Sequence, residues 1–366
     1  MREITVNYNG APCYDILLDD SYSELAARID QLGFSGRRIA IITDSNVGPL
    51  YAEAVASSLA RISSEVLICT IPAGESNKTL AEIERLYAAL IEAHFDRHDL
   101  LIALGGGVVG DMTGFCAATY LRGVSFVQLP TTLLAQADSS IGGKTGVDFS
   151  GYKNMVGAFY MPRLVYMNFS VLKTLPAREF SSGFAEIMKH GLIKDQSFYM
   201  WLVDHLYEIN DRDPAVLAEM LQKSCEIKRA VVEADPKERG ERALLNFGHT
   251  IGHAVEKAKN FELLHGECVA LGCVAAAYIS ARRKMIGDDE YYEIRDMFVP
   301  FGLPISVEDV NPMDIVRLVH SDKKADRNSI RFILLEKLGH AVIRTDVTDE
   351  EISAAVEEIL WREDGE

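Results

Sequence analysis

The sequence predicts an α/β fold in two parts, a parallel-sheet domain over residues 1–175 and an all-helical domain over 176–366. Three observations carry this. Short β-type apolar runs alternate with helical spacing from Arg37 onward, one of those runs ends in a glycine turn, and helical periodicity takes over from about Pro176. Alternation at this spacing means βαβ units, because parallel strands need a crossover and a helix supplies it.

In order along the chain, ITVNYN and CYDILL read as an antiparallel hairpin at the sheet edge. RRIAIITD is a buried strand, followed by helical spacing from Leu50 to Ala60. SEVLICTI is the next strand and LAEIERLYAALIEA the next helix, its apolar residues recurring at three- and four-residue intervals. DLLIALGGG is a strand that ends in glycines, and VSFVQLP is another. Residues 130–175 are rich in Gly, Ser, Thr and Asn and read as a long functional connection. Helices are expected at 182–206, 214–234, 242–259, 266–285, 289–300, 312–320 and 349–361.

Composition narrows the function. The 366 residues carry 37 Lys+Arg against 54 Asp+Glu, a formal charge of −17, which disfavours nucleic-acid binding through a basic field. A partner that is an anion then requires positive charge gathered locally. The longest apolar stretch, Val269 to Ala281, is too short for a membrane span, and MREITVNYNG has no apolar core of a secretory signal. The cysteines at 13, 69, 116, 225, 268 and 273 show no CxxC and no close pairing, so buried reduced thiols in a cytoplasmic protein are expected.

Two constellations carry chemistry. Gly105-Gly106-Gly107-Val108-Val109-Gly110-Asp111 follows a strand and opens a helix, the context in which backbone N–H groups receive a pyrophosphate. Tight strand-to-helix packing explains the same glycines equally well, and no P-loop Lys-Ser/Thr follows. Asp44, ending the first parallel strand, suits a ribose hydroxyl or a helix cap.

The second lies in the helical half. His249 and His253 are four apart in NFGHTIGHAVE, so a helix puts both imidazoles on one face, and His265 follows in HGECVALG. Glu186 sits in the apolar helix FAEIMKHGLI, four residues after Ser182 instead of the three of a capping box. Two histidines and one carboxylate would suit Zn²⁺ or a similar divalent ion with open positions, and the spacing leaves open which histidine is not a ligand. His94, His98, His190, His205, His320 and His340 have no such company. Lys189, Lys228 and Arg242 lie amid apolar residues near this constellation, with the neutral Asn246 among them, and give the required local positive charge a candidate address.

GGGVVGDMTGFCAATYLRG, QLPTTLLAQADSSIGGKTGVD, YKNMVGAF, FAEIMKHGLIKD, RALLNFGHTIGHAVE, LLHGE and DKKAD…IRFILL together closely resemble the 3-dehydroquinate synthase family, in order from about Asp44 to Leu335. The resemblance implies an N-terminal nucleotide-binding domain, a C-terminal helical metal-binding domain, NAD and Zn²⁺ (or Co²⁺) as cofactors, and a homodimer. It implies conversion of 3-deoxy-D-arabino-heptulosonate 7-phosphate to 3-dehydroquinate and phosphate, by transient oxidation, β-elimination, re-reduction and aldol closure.

Carried over residue by residue, the metal ligands would be Glu186, His249 and His265, with His253 beside the substrate phosphate. NAD contacts would come from Asp44, Asn46, Glu75, Lys78, Gly106, Gly107, Val108, Asp111, Thr131, Thr132, Lys144, Lys153, Val171, Thr174 and Leu175. Substrate contacts would come from Asp138, Lys144, Asn154, Lys189, Lys228, Arg242, Asn246, Lys323 and Lys324, with Arg122 reaching a neighbouring subunit's site. Two positions depart from the family pattern. Tyr152 precedes the Lys-Asn pair where Gly is usual, and Val171 stands where a Phe is frequent. The competing readings are an inosose or valiolone synthase of the same superfamily, a metal-dependent polyol dehydrogenase that releases NADH, and a non-catalytic dimerising scaffold.

Overall fold

The computed structural model describes residues 1–322 and 330–361. The chain divides into two compact units, one of Met1–Leu175 with Leu217–Pro236 and one of Pro176–Val216 with Lys237–Glu366.

The first unit runs β1 (Arg2–Tyr8), β2 (Ala11–Asp19), α1 (Leu25–Gln31), β3 (Arg38–Asp44), α2 (Gly48–Leu59), β4 (Glu65–Ile71), α3 (Leu80–Glu92), β5 (Leu100–Gly105), α4 (Gly107–Thr119), β6 (Ser125–Pro130), β7 (Lys144–Phe149), β8 (Tyr152–Phe159) and β9 (Leu164–Asn168). Seven strands form one sheet in the order β1-β2-β9-β6-β5-β3-β4. Only the edge pair β1–β2 is antiparallel. Strand β5 is buried throughout, which is why it reads as a continuous apolar run without alternation. Its residues nevertheless divide by face. Leu101 and Ala103 pack in a core with residues of α3 and α4, whereas Leu100, Ile102 and Leu104 pack with residues of α1 and α2. The sheet is therefore covered on both sides. Its strand order reverses at β3, so the carboxyl ends of β3 and β5 flank a switch point, where open α/β sheets bind ligands.

Residues 130–175, read from sequence as a connection, contain more structure than that. A short π-helical turn (Ala135–Ser139) leads into the β7–β8 hairpin, and β9 inserts between β2 and β6. Polar and glycine-rich composition hid the hairpin, because β8 is largely exposed and carries no alternation of apolar side chains.

The second unit holds α5 (Ala177–Lys194), α6 (Gln196–Asp204) and α7 (Leu206–Asn210). Helix α8 (Pro214–Ala234) follows, and from Leu217 it groups with the first unit. Then come α9 (His249–Ala258), α10 (His265–Arg282), α11 (Asp288–Asp296), α12 (Pro312–Asp322), the hairpin β10 (Phe332–Lys337) and β11 (His340–Arg344), and α13 (Asp349–Glu358). Among the described residues, that hairpin departs from the all-helical unit expected from sequence. Helix α10 is buried along almost its whole length, so its Ala-, Gly- and Cys-rich sequence shows no polar face.

Two expected helices are interrupted. The helix expected over 182–206 starts earlier and breaks at Asp195, whose carboxylate accepts the Phe198 N–H at 3.0 Å and caps α6. The helix expected over 242–259 is a 3₁₀ turn (Glu241–Asn246) followed by α9, because Gly248 adopts φ +79°, a left-handed conformation that ends helical propagation. Gly248 also lies against α10. A Cβ on Gly272 would sit 1.8 Å from the Gly248 carbonyl oxygen, so only glycine permits this crossing.

Candidate active site and metal centre

In the second unit, α5, α9 and α10 bring Glu186, His249 and His265 together. Their candidate ligand atoms all lie within 4.8 Å of one another. Glu186 is fully buried. Its Oε1 lies 3.0 Å from His265 Nε2 and 3.5 Å from His249 Nε2. The His249 Nδ1 is 3.1 Å from the Phe247 carbonyl oxygen, an arrangement satisfied by Nδ1–H donation that leaves Nε2 as the ligand atom. Burial, reinforced by Lys189, holds the His249 pKa well below the ordinary imidazole value, so the ring is neutral as a ligand must be. Burial opposes protonation of His265, yet the hydrogen bond and charge of Glu186 outweigh it and raise its pKa. For Glu186 burial acts upward, but Lys189 and the two imidazoles prevail and hold its carboxyl well below the usual range.

A buried carboxylate facing two imidazole nitrogens fits a tetrahedral Zn²⁺ or Co²⁺ with open positions. His253, Glu256 and His265 meet the same separation. That grouping relies on the exposed His253, whereas Glu186 is buried with both of its imidazoles against one oxygen. The rings of His249 and His253 are 5.1 Å apart and those of His253 and His265 6.0 Å, so His253 borders the cradle. The buried ammonium of Lys189 pairs with Glu186 one turn away. Arg242 is buried in the preceding 3₁₀ turn, and Asn246 donates to Glu238 Oε1 at 2.8 Å.

The expected nucleotide residues all fall in the first unit. Asp44 Oδ1 accepts the backbone N–H groups of Asn46 and Val47 at 2.8 and 2.9 Å, so this carboxylate does shape the turn that opens α2. Gly110 and Gly114 serve packing, since an added Cβ would lie 2.8 Å from Gln128 Oε1 and 2.4 Å from Thr145 Cγ2. Gly106 and Gly107 form the N-terminal end of α4 at the switch point, where an added Cβ would lie 3.0 Å from Thr132 Cγ2 and 3.1 Å from Ser139 Oγ, with Thr131 N–H bonded to the Gly105 carbonyl at 2.9 Å. Val108 continues the first turn of α4.

Lys78 is buried among Asp111 Oδ2 at 2.7 Å, Asn154 Oδ1 at 2.5 Å and Glu75 Oε1 at 3.7 Å. Burial works against its charge, but Asp111 and Glu75 outweigh this and raise its pKa. Asp111 is itself raised, by burial, against the opposing pull of Lys78. Thr174 Oγ1 pairs with the Tyr51 hydroxyl at 2.5 Å beside buried Val171, with Leu175 next in sequence. Thr132 caps the following turn through the Ala135 N–H at 3.1 Å.

Of the expected substrate residues in this unit, Lys228 binds Asp138 Oδ1 at 2.6 Å, and Lys144 is exposed at the start of β7. The positive residues gathered by sequence therefore fall in two units, because the part of α8 that carries Lys228 groups with the first. Lys153 and Asn154 lie on β8, and Asn154 has a left-handed φ of 56°. Arg122 stands exposed in the YLRG turn with φ 69°, next to Leu121 at φ 49°. Lys323 and Lys324 lie outside the described residues.

Sequence reasoning missed several residues that shape these sites. Asp148 Oδ1 accepts the Asn154 N–H at 2.8 Å, and Ser182 Oγ accepts the Gly266 N–H at 3.0 Å. Ser182 is no helix cap for Glu186, since both lie inside α5, which starts at Ala177. Nothing local in sequence signals partners 84 residues apart.

The chain matches the family models "3-dehydroquinate synthase N-terminal" over residues 68–182 and "3-dehydroquinate synthase C-terminal" over 183–325. It is 45% identical over 339 residues to 3-dehydroquinate synthase of Acetivibrio thermocellus, covering 93% of this chain and 94% of that one. It is 46% identical over 324 residues to that of Symbiobacterium thermophilum, covering 88% and 90%. Among solved structures it resembles 2-deoxy-scyllo-inosose synthase complexed with carbaglucose-6-phosphate, NAD⁺ and Co²⁺, at a TM-score of 0.88, 25% identity and coverage of 98% and 100%. It also resembles 2-epi-5-epi-valiolone synthase from Streptomyces hygroscopicus with NAD⁺ and Zn²⁺ bound, at 0.88, 29% identity and coverage of 94% and 96%. With both halves matched by the family's models and close relatives along nearly its full length, the chain belongs to the 3-dehydroquinate synthase family.

Proposed function

We infer that this enzyme converts 3-deoxy-D-arabino-heptulosonate 7-phosphate to 3-dehydroquinate and phosphate, the second step of the shikimate pathway, with NAD⁺ and a divalent metal. The observation that carries the reading is the cradle of Glu186, His249 and His265 beside buried Lys189, in a chain 45% identical to a curated enzyme of that name. When bound, the metal supplies a Lewis acid for vicinal substrate oxygens, and NAD⁺ supplies a hydride acceptor that is restored before product leaves.

The chain's own residues do the rest. Glu186, His249 and His265 hold the metal. The β5–α4 turn with Gly106 and Gly107 receives the pyrophosphate, and Asp44, Asn46, Glu75, Lys78, Val108, Asp111, Thr131, Thr132, Lys153, Val171, Thr174 and Leu175 surround the nucleotide. Lys189, Lys228, Arg242 and Asn246 hold anionic and hydroxyl groups of the substrate by charge-assisted hydrogen bonds. Lys144, Asn154, Asp138 and His253 orient the phosphate, Lys144 also bordering the nucleotide. If the leaving phosphate takes the proton next to the new ketone, these residues need only position it.

Arg122 completes a neighbouring subunit's site in a homodimer, and its strained backbone, of the kind that persists where function over-determines it, supports that role. Six free cysteines support a cytoplasmic setting. No described helix is long and apolar enough to cross a membrane.

The second reading is another sugar-phosphate cyclase, favoured by the likeness to the inosose and valiolone synthases but at lower identity, 25% and 29%. The test measures phosphate release from the heptulosonate phosphate, with and without NAD⁺ and chelator, while following NADH absorbance. Phosphate release with no net NADH supports the synthase. Accumulating NADH points to a dehydrogenase, and inertness toward this substrate to another cyclase.

A further inference from the structure

His265 is the first residue of α10 and is only partly buried, so side-chain packing alone does not fix it. What holds its backbone is a ladder of contacts to α5. Arg178, Ser182 and Glu186 recur on α5 at four-residue intervals, which places them on one face. Each meets a different residue at the start of α10. Glu186 Oε1 meets His265 Nε2 at 3.0 Å, and Ser182 Oγ accepts the Gly266 N–H at 3.0 Å. Arg178 grips Glu267 with two parallel bonds, Nε to Oε1 at 2.6 Å and Nη2 to Oε2 at 2.7 Å. Glu267 Oε2 also accepts the Leu264 N–H at 2.7 Å, and Arg178 Nη2 donates to the Glu262 carbonyl at 3.2 Å. Residues 262, 264, 266 and 267, on both sides of His265, are thus tied to α5 directly or through Glu267.

The approach is as close as chemistry allows. A Cβ on Gly266 would lie 1.9 Å from the Ser182 carbonyl oxygen, so α10 cannot sit this way with any other residue there. Bidentate guanidinium–carboxylate pairing adds a fixed orientation that a single ammonium cannot give.

We propose that Arg178, Ser182 and Glu267 are positioning residues that set His265 against Glu186, so that a divalent cation meets a preformed pair of ligands. This rests on the metal-site reading above. Neither Arg178 nor Glu267 touches substrate or metal in this scheme. They act through the backbone of His265; loss of partners that orient a metal ligand costs roughly 10- to 100-fold in metal affinity.

The same unit supplies a matched control. Arg283 grips Glu351 with the same geometry, Nε to Oε1 at 2.6 Å and Nη2 to Oε2 at 2.7 Å, at the opposite end of α10 from His265. The experiment strips full-length protein of metal and titrates it with Zn²⁺ against a chromophoric chelator, for wild type, Arg178→Lys, Glu267→Gln, Ser182→Ala, Arg283→Lys and Glu186→Gln. Melting temperatures of the metal-free forms and the visible spectra of the Co²⁺-loaded forms are recorded alongside. Arg178→Lys should weaken Zn²⁺ binding about 10-fold or more and alter the Co²⁺ spectrum, whereas Arg283→Lys should leave both unchanged at a comparable melting temperature. Should Glu267→Gln fail to fold, Arg178→Lys and Ser182→Ala carry the comparison. Unchanged Zn²⁺ affinity in Arg178→Lys, or an equal loss in Arg283→Lys, overturns the proposal while Glu186→Gln still abolishes binding. If Glu186→Gln itself binds Zn²⁺ normally, the metal-site reading has failed and this inference falls with it.

Discussion

Glu186 Oε1 lies between the Nε2 atoms of His265 and His249, at 3.0 and 3.5 Å. One buried carboxylate oxygen thus organises imidazoles from two different helices. Glu186→Ala, or His249→Ala, should remove bound metal and activity together. Elemental analysis of the purified variants and turnover on the heptulosonate phosphate check this. Full metal occupancy with wild-type turnover in Glu186→Ala would mean that the ligands lie elsewhere.

The crossing of α9 and α10 offers a second test. A Cβ at Gly272 would fall 1.8 Å from the Gly248 carbonyl oxygen, which is backbone and cannot rotate away. Gly272→Ala should therefore cost about 1–3 kcal/mol or more in urea unfolding. It should also displace His249, which follows Gly248 as the first residue of α9, and weaken metal binding more than a core truncation of equal stability cost. Leu202→Ala, a fully buried position on α6, serves as that comparison.

These two sites also mark what the sequence could reveal. The β3–α2–β4–α3–β5–α4–β6 run was legible because continuous apolar strands and amphipathic helices alternate there, and the His249–His253 spacing was legible because one helix carries both. The break before α9 was not, since helical periodicity continues through Gly248, and its left-handed backbone sits in a close packing against Val269 and Cys273 of α10 that lies far away in sequence. Strand β9 was missed because LVYMN is five residues long and sits next to glycine-rich text. The Arg178–Glu267 pair spans 89 residues, a separation at which no periodicity operates. Which cations approach the metal, and which lie with Lys228 in the first unit, is likewise a tertiary fact.

Stability of the second unit should depend on pH through Arg283. Its hydrogen bonds hold the carboxyls of Glu351 and Asp346 below their ordinary values. A depressed folded-state pKa contributes stability that is present above the unfolded value, about 4 for these groups, and is lost as pH falls through the folded value. The melting temperature should therefore decline from about pH 5 downward, and Arg283→Met should flatten part of that decline. An identical acid profile in the variant would show that this cluster makes no contribution.

Arg122 combines a strained backbone, φ 69°, with an exposed side chain. Arg122→Gly relieves the strain while deleting the guanidinium, so thermal stability should hold or rise while turnover falls. Falling stability and intact turnover together would assign the turn a structural role. Mixing Arg122→Gly with Lys144→Met subunits should restore some activity, because one site of the mixed dimer then regains both side chains. Verified mixed dimers that stay inactive would exclude a shared site.

Lys144 opens β7 after Gly142 and Gly143, whose φ values of 97° and 66° turn the chain so that this side chain emerges exposed at the strand end. A lysine so placed is within reach of an incoming anion. If it fixes the leaving phosphate for elimination, Lys144→Met should lower kcat/KM by about 10²-fold or more, equivalent to roughly 2.7 kcal/mol of transition-state stabilisation. NAD⁺ affinity should change much less, because the substitution leaves the β5–α4 turn and the Lys78–Asp111 pair proposed to surround the nucleotide untouched. The first hydride transfer should also suffer less than phosphate loss, so NADH absorbance should rise and decay within a single turnover instead of staying flat. Stopped-flow absorbance together with quenched phosphate analysis separates the two steps. Unchanged phosphate release in Lys144→Met would show that this lysine does not hold the leaving phosphate.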